Sequence, residues 1–316
     1  MVEASDTATA VENSNQLPVV IVTGASGFIG SYLVNFLKDK HQVYAIARRS
    51  QNAARIQPHP NLHWMRVDIG IENEVKYALD YISIRGGAEF LFHMAGFFDF
   101  DNRQVPEYDH TNVQGTLNVL KHSRGLNLKR FIFGSSLTVS RFDKPGTVLN
   151  EESPADATFP YAVSKARGEE FMREYSSEFP TLTVRFAAIF SDWCQYTPLH
   201  TFLSKWLSSD WDRRILVGKG LSAIPYLHIN DLLHFFNSVM LRSDELPSYS
   251  LLIASTEGCI SHHDLFTFSM HYNHFNRVKP VFVPKWLARI GVVQRDLWGR
   301  LKRQRPFERF WMVDYV

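Results

Sequence analysis

The eight residues T-G-A-S-G-F-I-G at positions 23–30 stand between an apolar run, LPVVIVTG (17–24), and an amphipathic one, FIGSYLVNFLKDK (28–40). The first run reads as a buried strand. The second puts Ile29, Leu33, Phe36 and Leu37 on one stripe, which is helical spacing. A glycine-rich turn at such a junction aims backbone N–H groups and the positive end of the helix at whatever lies above it. Gly24 permits the tight turn, Gly27 lets the backbone approach a pyrophosphate, and Gly30 lets the helix pack close to the strand. The spacing predicts a dinucleotide-binding strand–loop–helix unit.

Outward from this unit the pattern repeats. QVYAIA (42–47), LHWMRVDI (62–69), AEFLFHMAG (88–96), KRFIFGSS (129–136) and LTVRFAAIF (182–190) read as strands. ENEVKYALDYISI (72–84), EYDHTNVQGTLNVLKHSRG (107–125) and YAVSKARGEEFMREYSSEF (161–179) read as helices. Apolar strands alternating with amphipathic helices predict an α/β fold: a Rossmann-type doubly wound parallel sheet with a smaller C-terminal substrate lobe. Ligands of such sheets bind at the carboxyl ends of the strands. Residues 17–190 are expected to form the NAD(P)-binding domain, with 225–242 packing back on it. Residues 191–316 are expected to form the substrate lobe, and the polar residues 1–16 a disordered tail.

The bulk numbers narrow the function classes. The 316 residues are 45% hydrophobic and 14% aromatic, enough for a sizeable core. A net charge of +2 argues against a nucleic-acid partner. Two cysteines, Cys194 and Cys259, make no disulfide framework, so a reducing, cytoplasmic setting is expected. No apolar run reaches the ~18 residues of a spanning helix. His262, His263, His271 and His274 lie close in sequence, but beyond Asp264 no ligands complete a set, so no metal is expected. The basic, aromatic run at 298–316 reads as a solvated helix face capping the lobe; a membrane surface or a partner is the alternative.

The residues ending the second strand select the cofactor. A carboxylate there would hold the adenosine 2′-hydroxyl and favour NAD. Ala47, Arg48 and Arg49 stand there instead. Two guanidiniums match a 2′-phosphate, which points to NADP, with NAD the alternative. Asp68, at the end of the third strand, is expected to meet the adenine ring.

Tyr161 and Lys165 are four apart at the start of a helix after Pro160 and so share one face. A tyrosine with pKa near 10 needs about 4 kcal/mol to serve as an acid or base near neutrality. An ammonium about 4 Å away supplies roughly that much at an effective dielectric of about 20. Ser136, at the end of the fifth strand, adds a hydroxyl able to hold the substrate oxygen.

With these groups in order, the chain resembles an extended short-chain dehydrogenase/reductase of the NAD-dependent epimerase/dehydratase family. The resemblance spans about 17–245 and rests on TGASGFIG (23–30), VDI (67–69), HMAG (93–96), NVQGTLNVL (112–120), SSLTV (135–139), YAVSK (161–165) and PYLHINDL (225–232). It implies Tyr161 as general acid/base, Lys165 on the nicotinamide ribose and Ser136 polarising the reacting oxygen. Asn112 would support the local helix geometry or a proton relay. The matched motifs carry over Gly24, Ser26, Gly27, Phe28, Ile29, Gly30, Asp68, Ile69, Ala95 and Gly96 as cofactor contacts, beside Arg48 and Arg49. The resemblance also implies a homodimer through the helices that contain Asn112 and Tyr161.

The departures bear on substrate. Relatives acting on nucleotide sugars carry an Asn-Val-Tyr-Gly-Pro-like run where this chain has Ala188-Ile189-Phe190-Ser191-Asp192. Their Arg-Asp-Phe is Ile224-Pro225-Tyr226 here, and the tyrosine usual after the serine motif is Ser140. Phe97, Phe98, Trp193, Tyr196, Phe202 and Trp206 make the substrate side apolar, with two or three of them expected in the pocket. The resulting expectation is hydride transfer between nicotinamide and a secondary alcohol or ketone of a mainly hydrophobic small molecule. A nucleotide-sugar epimerase/dehydratase and a non-catalytic cofactor-binding protein remain the alternatives.

Overall fold

The computed structural model describes residues 17–141, 146–273, 278–301 and 313. The expected tail at 1–16, His274 and nearly all of the chain beyond 301 lie outside the described residues.

Six strands form in chain order: β1 (Val19–Thr23), β2 (Gln42–Ala47), β3 (Leu62–Arg66), β4 (Phe90–His93), β5 (Arg130–Ser136) and β6 (Thr181–Phe186). Between them run α1 (Phe28–Leu37), α2 (Glu72–Ser83), α3 (Gly115–His122) and α4 (Pro160–Tyr175). Next come β7 (Ala188–Phe190), α5 (Thr197–Trp206), β8 (Ile215–Val217), β9 (Ala223–Ile224), β10 (Tyr226–His228) and α6 (Ile229–Leu241). The chain continues through β11 (Tyr249–Ala254), β12 (Ile260–Ser261), α7 (His262–Tyr272), β13 (Val281–Val283) and α8 (Lys285–Leu301).

A seven-stranded parallel sheet has the order β11-β6-β5-β4-β1-β2-β3. Helices cover both faces, which makes the fold Rossmann-like and doubly wound. On one face Leu33, Val34 and Leu37 of α1 pack with Phe236 and Val239 of α6 over Val20, Phe92 and Ile132. On the other, Val75 and Leu79 of α2, Val119 and Leu120 of α3, and Phe171 and Met172 of α4 pack over Ile21, Leu91 and Phe131. Each such side chain contributes about 1.5–3 kcal/mol by leaving water. That two-sided burial is why the strands are nearly all apolar instead of alternating.

Three features depart from the sequence reading. A seventh strand, β11, joins the sheet beside β6 from within the stretch expected to belong to the lobe. The run read as one strand over 182–190 splits at Ala187. Ala187 N–H bonds the Ala254 carbonyl, whereas Ala188 N–H bonds the Pro225 carbonyl, so the hydrogen-bond partner changes there. Finally, Tyr108–Gln114 is a π-helix that leads into α3. Arg130, fully buried, ties the returning segment down through hydrogen bonds to Ser243 Oγ and the carbonyls of Thr181, Ser243, Leu246 and Pro247.

Candidate active site

The glycine loop crosses the carboxyl end of β1. Gly24 has φ +70, and a Cβ there would sit 2.5 Å from the Ala95 backbone nitrogen. A Cβ on Gly30 would come within 2.2 Å of the Gly24 carbonyl oxygen. Both contacts are to backbone, so neither position accepts a side chain without distorting the loop. The first turn of α1 has no side-chain cap and no acidic residue, so its N–H groups are left for an anion. This cradle fits the diphosphate of a dinucleotide.

At the end of β2 the cations gather. The Arg49 guanidinium donates to the Ser26 carbonyl, so it lies against the glycine loop itself. The Trp64 indole holds the Arg49 carbonyl at 3.0 Å, and Arg66 Nε reaches the Arg48 carbonyl at 3.5 Å. Arg48 and Arg49 are exposed and open to a ligand. The Asp68 carboxylate accepts from Gly70 N–H at 3.0 Å and lies 3.2 Å from His110 Nε2. It thus holds its own turn. Ile69 is buried, and its carbonyl accepts from Asn118 at 2.9 Å.

One buried histidine, which the sequence reading passed over, joins the strand ends to the helix carrying Asn112. Thr116 Oγ1 donates to the Asn112 carbonyl at 2.6 Å and so can only accept from His93 Nε2, at 3.1 Å. The His93 proton is therefore on Nε2, and Nδ1 accepts from the Thr23 hydroxyl at 2.8 Å. Burial, helped by the nearby Lys165 charge, pushes its pKa down to about 3, so this ring stays neutral. The clue in sequence was a lone polar residue inside the apolar strand FLFH.

Asn112, on the π-helix, pins the chain after β4. Its Oδ1 accepts from Phe97 N–H at 2.6 Å, and its Nδ2 donates to the Phe97 carbonyl and to Ser164 Oγ, each at 2.9 Å. Ser164 in turn donates to the Tyr161 carbonyl at 2.7 Å. One amide thereby sets the Gly96–Phe97 segment against the first turn of α4. A Cβ on Gly96 would lie 3.2 Å from Lys165 Nζ and 3.6 Å from Asn112 Oδ1.

Ser136 of β5 and Tyr161 of α4 meet, and Lys165 lies one helical turn on from Tyr161 along α4. Ser136, at the end of β5, is hydrogen-bonded to Tyr161, which lowers the phenol pKa. The larger effect is burial, which raises it well above its usual value. Lys165 is not among the groups that shift Tyr161. Its ammonium donates to the Gly134 carbonyl at 2.7 Å and lies 4.7 Å above the Phe133 ring. Burial pushes its pKa down to about 8, opposed by Glu169 one turn on. The direct coupling expected of an ammonium about 4 Å from the phenol is therefore not among the effects on Tyr161, and the ammonium is held at the Gly134 carbonyl.

Behind this set, Glu169 and Arg185 form a buried ion pair at 2.8 Å, and Ser135 donates to Glu169 at 2.6 Å. The pair anchors α4 to β5 and β6. In front, the Phe98 ring packs edge-on against Tyr161 at 4.7 Å, and Tyr108 lies at 6.4 Å. Tyr196 is close enough to act on Tyr161 electrostatically, and it meets Tyr226 at 6.2 Å. Burial pushes the Tyr196 phenol up to about 12 and raises that of Tyr226, whose hydroxyl is buried without a hydrogen-bond partner. Trp193 is exposed, whereas Phe202 and Trp206 stack on each other against His262 and Phe266 and fill the lobe's core. His228 caps α6, accepting from Asn230 N–H at 3.3 Å.

The sequence profile of the NAD dependent epimerase/dehydratase family matches residues 20–252. The chain belongs to that family. It is 25% identical over 251 residues to a dTDP-D-glucose 4,6-dehydratase of Dictyostelium discoideum, covering 72% of this chain and 56% of that one. It is 29% identical over 176 residues to a UDP-glucose 4-epimerase of Erwinia amylovora, covering 53% and 52%. A dihydroflavonol 4-reductase of Hordeum vulgare is 30% identical over 195 residues, covering 54% of each chain. The matched stretch thus spans about half the length of these relatives. Among solved structures, the NAD complex of the Bordetella bronchiseptica enzyme WbmG superposes with a TM-score of 0.70 at 20% identity, over 84% of this chain and 82% of that one. A UDP-glucose 4-epimerase from Thermotoga maritima with UDP-glucose gives 0.67 at 19%, over 84% and 85%. These likenesses establish the fold.

Proposed function

We propose that this protein is an NADP-preferring oxidoreductase acting on a secondary alcohol or ketone of a mainly hydrophobic small molecule. The observation that carries the reading is the pairing of an assembled Ser136/Tyr161/Lys165 set with an aromatic front wall. The groups acting on Tyr161 from that wall are the phenols of Tyr108 and Tyr196, not cations. Ile224, Pro225 and Tyr226 stand where nucleotide-sugar relatives place an arginine, and Ala188 begins the run where they place an asparagine. A sugar diphosphate would meet apolar surface and a buried phenol at those points, and burying its charge there unpaired is costly.

The glycine loop and the α1 N-terminus would hold the cofactor diphosphate, Arg48 and Arg49 the adenosine phosphate, and Lys165 the nicotinamide ribose. When bound, the nicotinamide supplies the hydride donor or acceptor. The chain's own part is proton handling. Ser136 holds the substrate oxygen, and Tyr161 Oη gives or takes its proton. Phe98 and Tyr108 keep water from the phenol. The buried, unpartnered Tyr226 hydroxyl offers a single neutral hydrogen bond to the far end of a substrate. Replacing Tyr161 by Phe should lower turnover at least ~100-fold while leaving the dissociation constant for NADP(H), measured by fluorescence titration, nearly unchanged. Full turnover in that variant would refute the assignment. Tighter binding of NAD than NADP would refute the cofactor preference.

The relatives named as dehydratase and epimerase favour a second reading, internal redox on a nucleotide sugar. Thermal-shift measurements with UDP-glucose and dTDP-glucose separate the two. A large stabilisation by either would place this chain with those relatives in substrate as well as in fold.

A further inference from the structure

The arginines at the end of β2 are braced from the neighbouring edge strand, β3. Side chains on a strand alternate between the two faces of its sheet. Leu62 and Trp64 pack with the core on the α1 face, whereas Met65 and Val67 pack with the core on the other. The register sets Trp64 beside Ala45 of β2 and Arg66 beside Ala47. Ala45 and Ala47 belong to the same core as Trp64, and their small side chains leave room for an indole next to the end of β2. From there the Trp64 N–H donates to the Arg49 carbonyl at 3.0 Å.

Arg49 is thereby held at both ends. The indole fixes its backbone, and its own guanidinium donates to the Ser26 carbonyl of the glycine loop. That bond uses one N–H of the guanidinium fork and leaves the others on an exposed side chain, where they can meet a phosphate in two parallel bonds. A free arginine loses its rotamer freedom when it grips a ligand. One that is already pinned loses less and so binds more tightly. A phenylalanine at position 64 would fill the same space; what the tryptophan adds is the hydrogen bond to residue 49.

We propose that Trp64 is a specificity-determining positioning residue, which sets Arg49 on the glycine loop to receive the adenosine phosphate of NADP. The inference rests on the NADP preference assigned above and on no particular substrate. Calorimetric titration with NADP+ and NAD+ tests it on the wild type, Trp64→Phe, Arg49→Ala and the double variant. Trp64→Phe keeps a ring in the core and removes the N–H. It should weaken NADP+ binding roughly 5-fold, the worth of one hydrogen bond, and leave NAD+ binding unchanged. A tryptophan that only braced the fold would not spare NAD+. Arg49→Ala, at an exposed position, should weaken NADP+ at least as much while also sparing NAD+. Adding Trp64→Phe to Arg49→Ala should cost nothing more. If the wild type binds NAD+ as tightly as NADP+, or Arg49→Ala keeps the preference for NADP+, the cofactor assignment fails and this inference fails with it. If Arg49→Ala loses that preference and Trp64→Phe keeps it in full, only the role of Trp64 is overturned. That role is overturned equally if Trp64→Phe weakens both cofactors alike, or still costs NADP+ affinity in the Arg49→Ala background.

Discussion

At the scale of single residues, Lys165 makes the sharpest prediction. Its amine is buried, is bonded to the Gly134 carbonyl, and has a pKa lowered to about 8. The charged form keeps three N–H donors, one for the Gly134 carbonyl and two for the ribose hydroxyls it is proposed to hold. A lowered pKa means that charge disappears as pH rises through about 8 instead of through about 10. Turnover should therefore show a descending limb near pH 8, and Lys165→Arg, whose guanidinium stays charged, should abolish that limb whatever its effect on rate. A profile flat to high pH in the wild type would contradict this. The Ser136/Tyr161/Lys165 set was legible in the sequence because strand ends and a four-residue helical step leave regular traces. Phe98, Tyr196 and Tyr226 were harder. They come from loops and a short strand far apart in the chain, so only the fold brings them together. Trp193 and Trp206 show the converse: the same aromatic composition went to solvent and to core.

At the scale of elements, Asn112 shows why a π-helix occupies Tyr108–Gln114. The wider turn carries the amide to Phe97 and Ser164 at once, joining the chain after β4 to the first turn of α4. Asn112→Ala would leave the Phe97 N–H and carbonyl without their partner, at roughly 1–3 kcal/mol each if water cannot reach them. We expect the melting temperature to fall by several degrees and turnover to fall further than stability alone requires, since Tyr161 opens that same helix turn. Asn112→Asp, which keeps the acceptor for Phe97 N–H, should restore part of the loss; equal damage from both would argue against the clamp. The π-turn itself was invisible in the sequence, because a helical apolar stripe looks alike on either side of one inserted residue. The break at Ala187 was invisible for a related reason. LTVRFAAIF carries no glycine or proline to mark a break, and what changes at Ala187 is the strand it bonds to, first β11 and then β10. β11 was missed because YSLLIA is short and follows an irregular stretch, whereas the first six strands stood out by their alternation with helices.

At the scale of the whole molecule, two neutral histidines sit in the two halves of the fold. His93 lies beneath the sheet's carboxyl edge, with both ring nitrogens bonded to threonines. His262 opens α7 in the lobe, packed at 4.8 Å on Phe202, with Nε2 buried and unpartnered. Burial lowers their pKa values to about 3 and about 4, below the 6.5 of an open chain. A base whose pKa is lower folded than unfolded binds its proton more readily in the unfolded chain. Its contribution to stability is complete above pH 6.5 and is lost as pH falls from there towards the folded value. For each ring this amounts to a few kcal/mol, a large share of an ordinary folding free energy. Denaturant midpoints should thus fall steeply between pH 6.5 and about 4. The unpartnered His262 nitrogen makes the two rings separable. His262→Phe loses no hydrogen bond, can pack on Phe202, and removes one of the two protons taken up on unfolding. The variant should be nearly as stable as wild type at pH 7 and more stable at pH 5, with a shallower slope between. Parallel pH curves for the two proteins would mean that His262 is protonated in the folded state at pH 5 and that the lobe opens there to admit water.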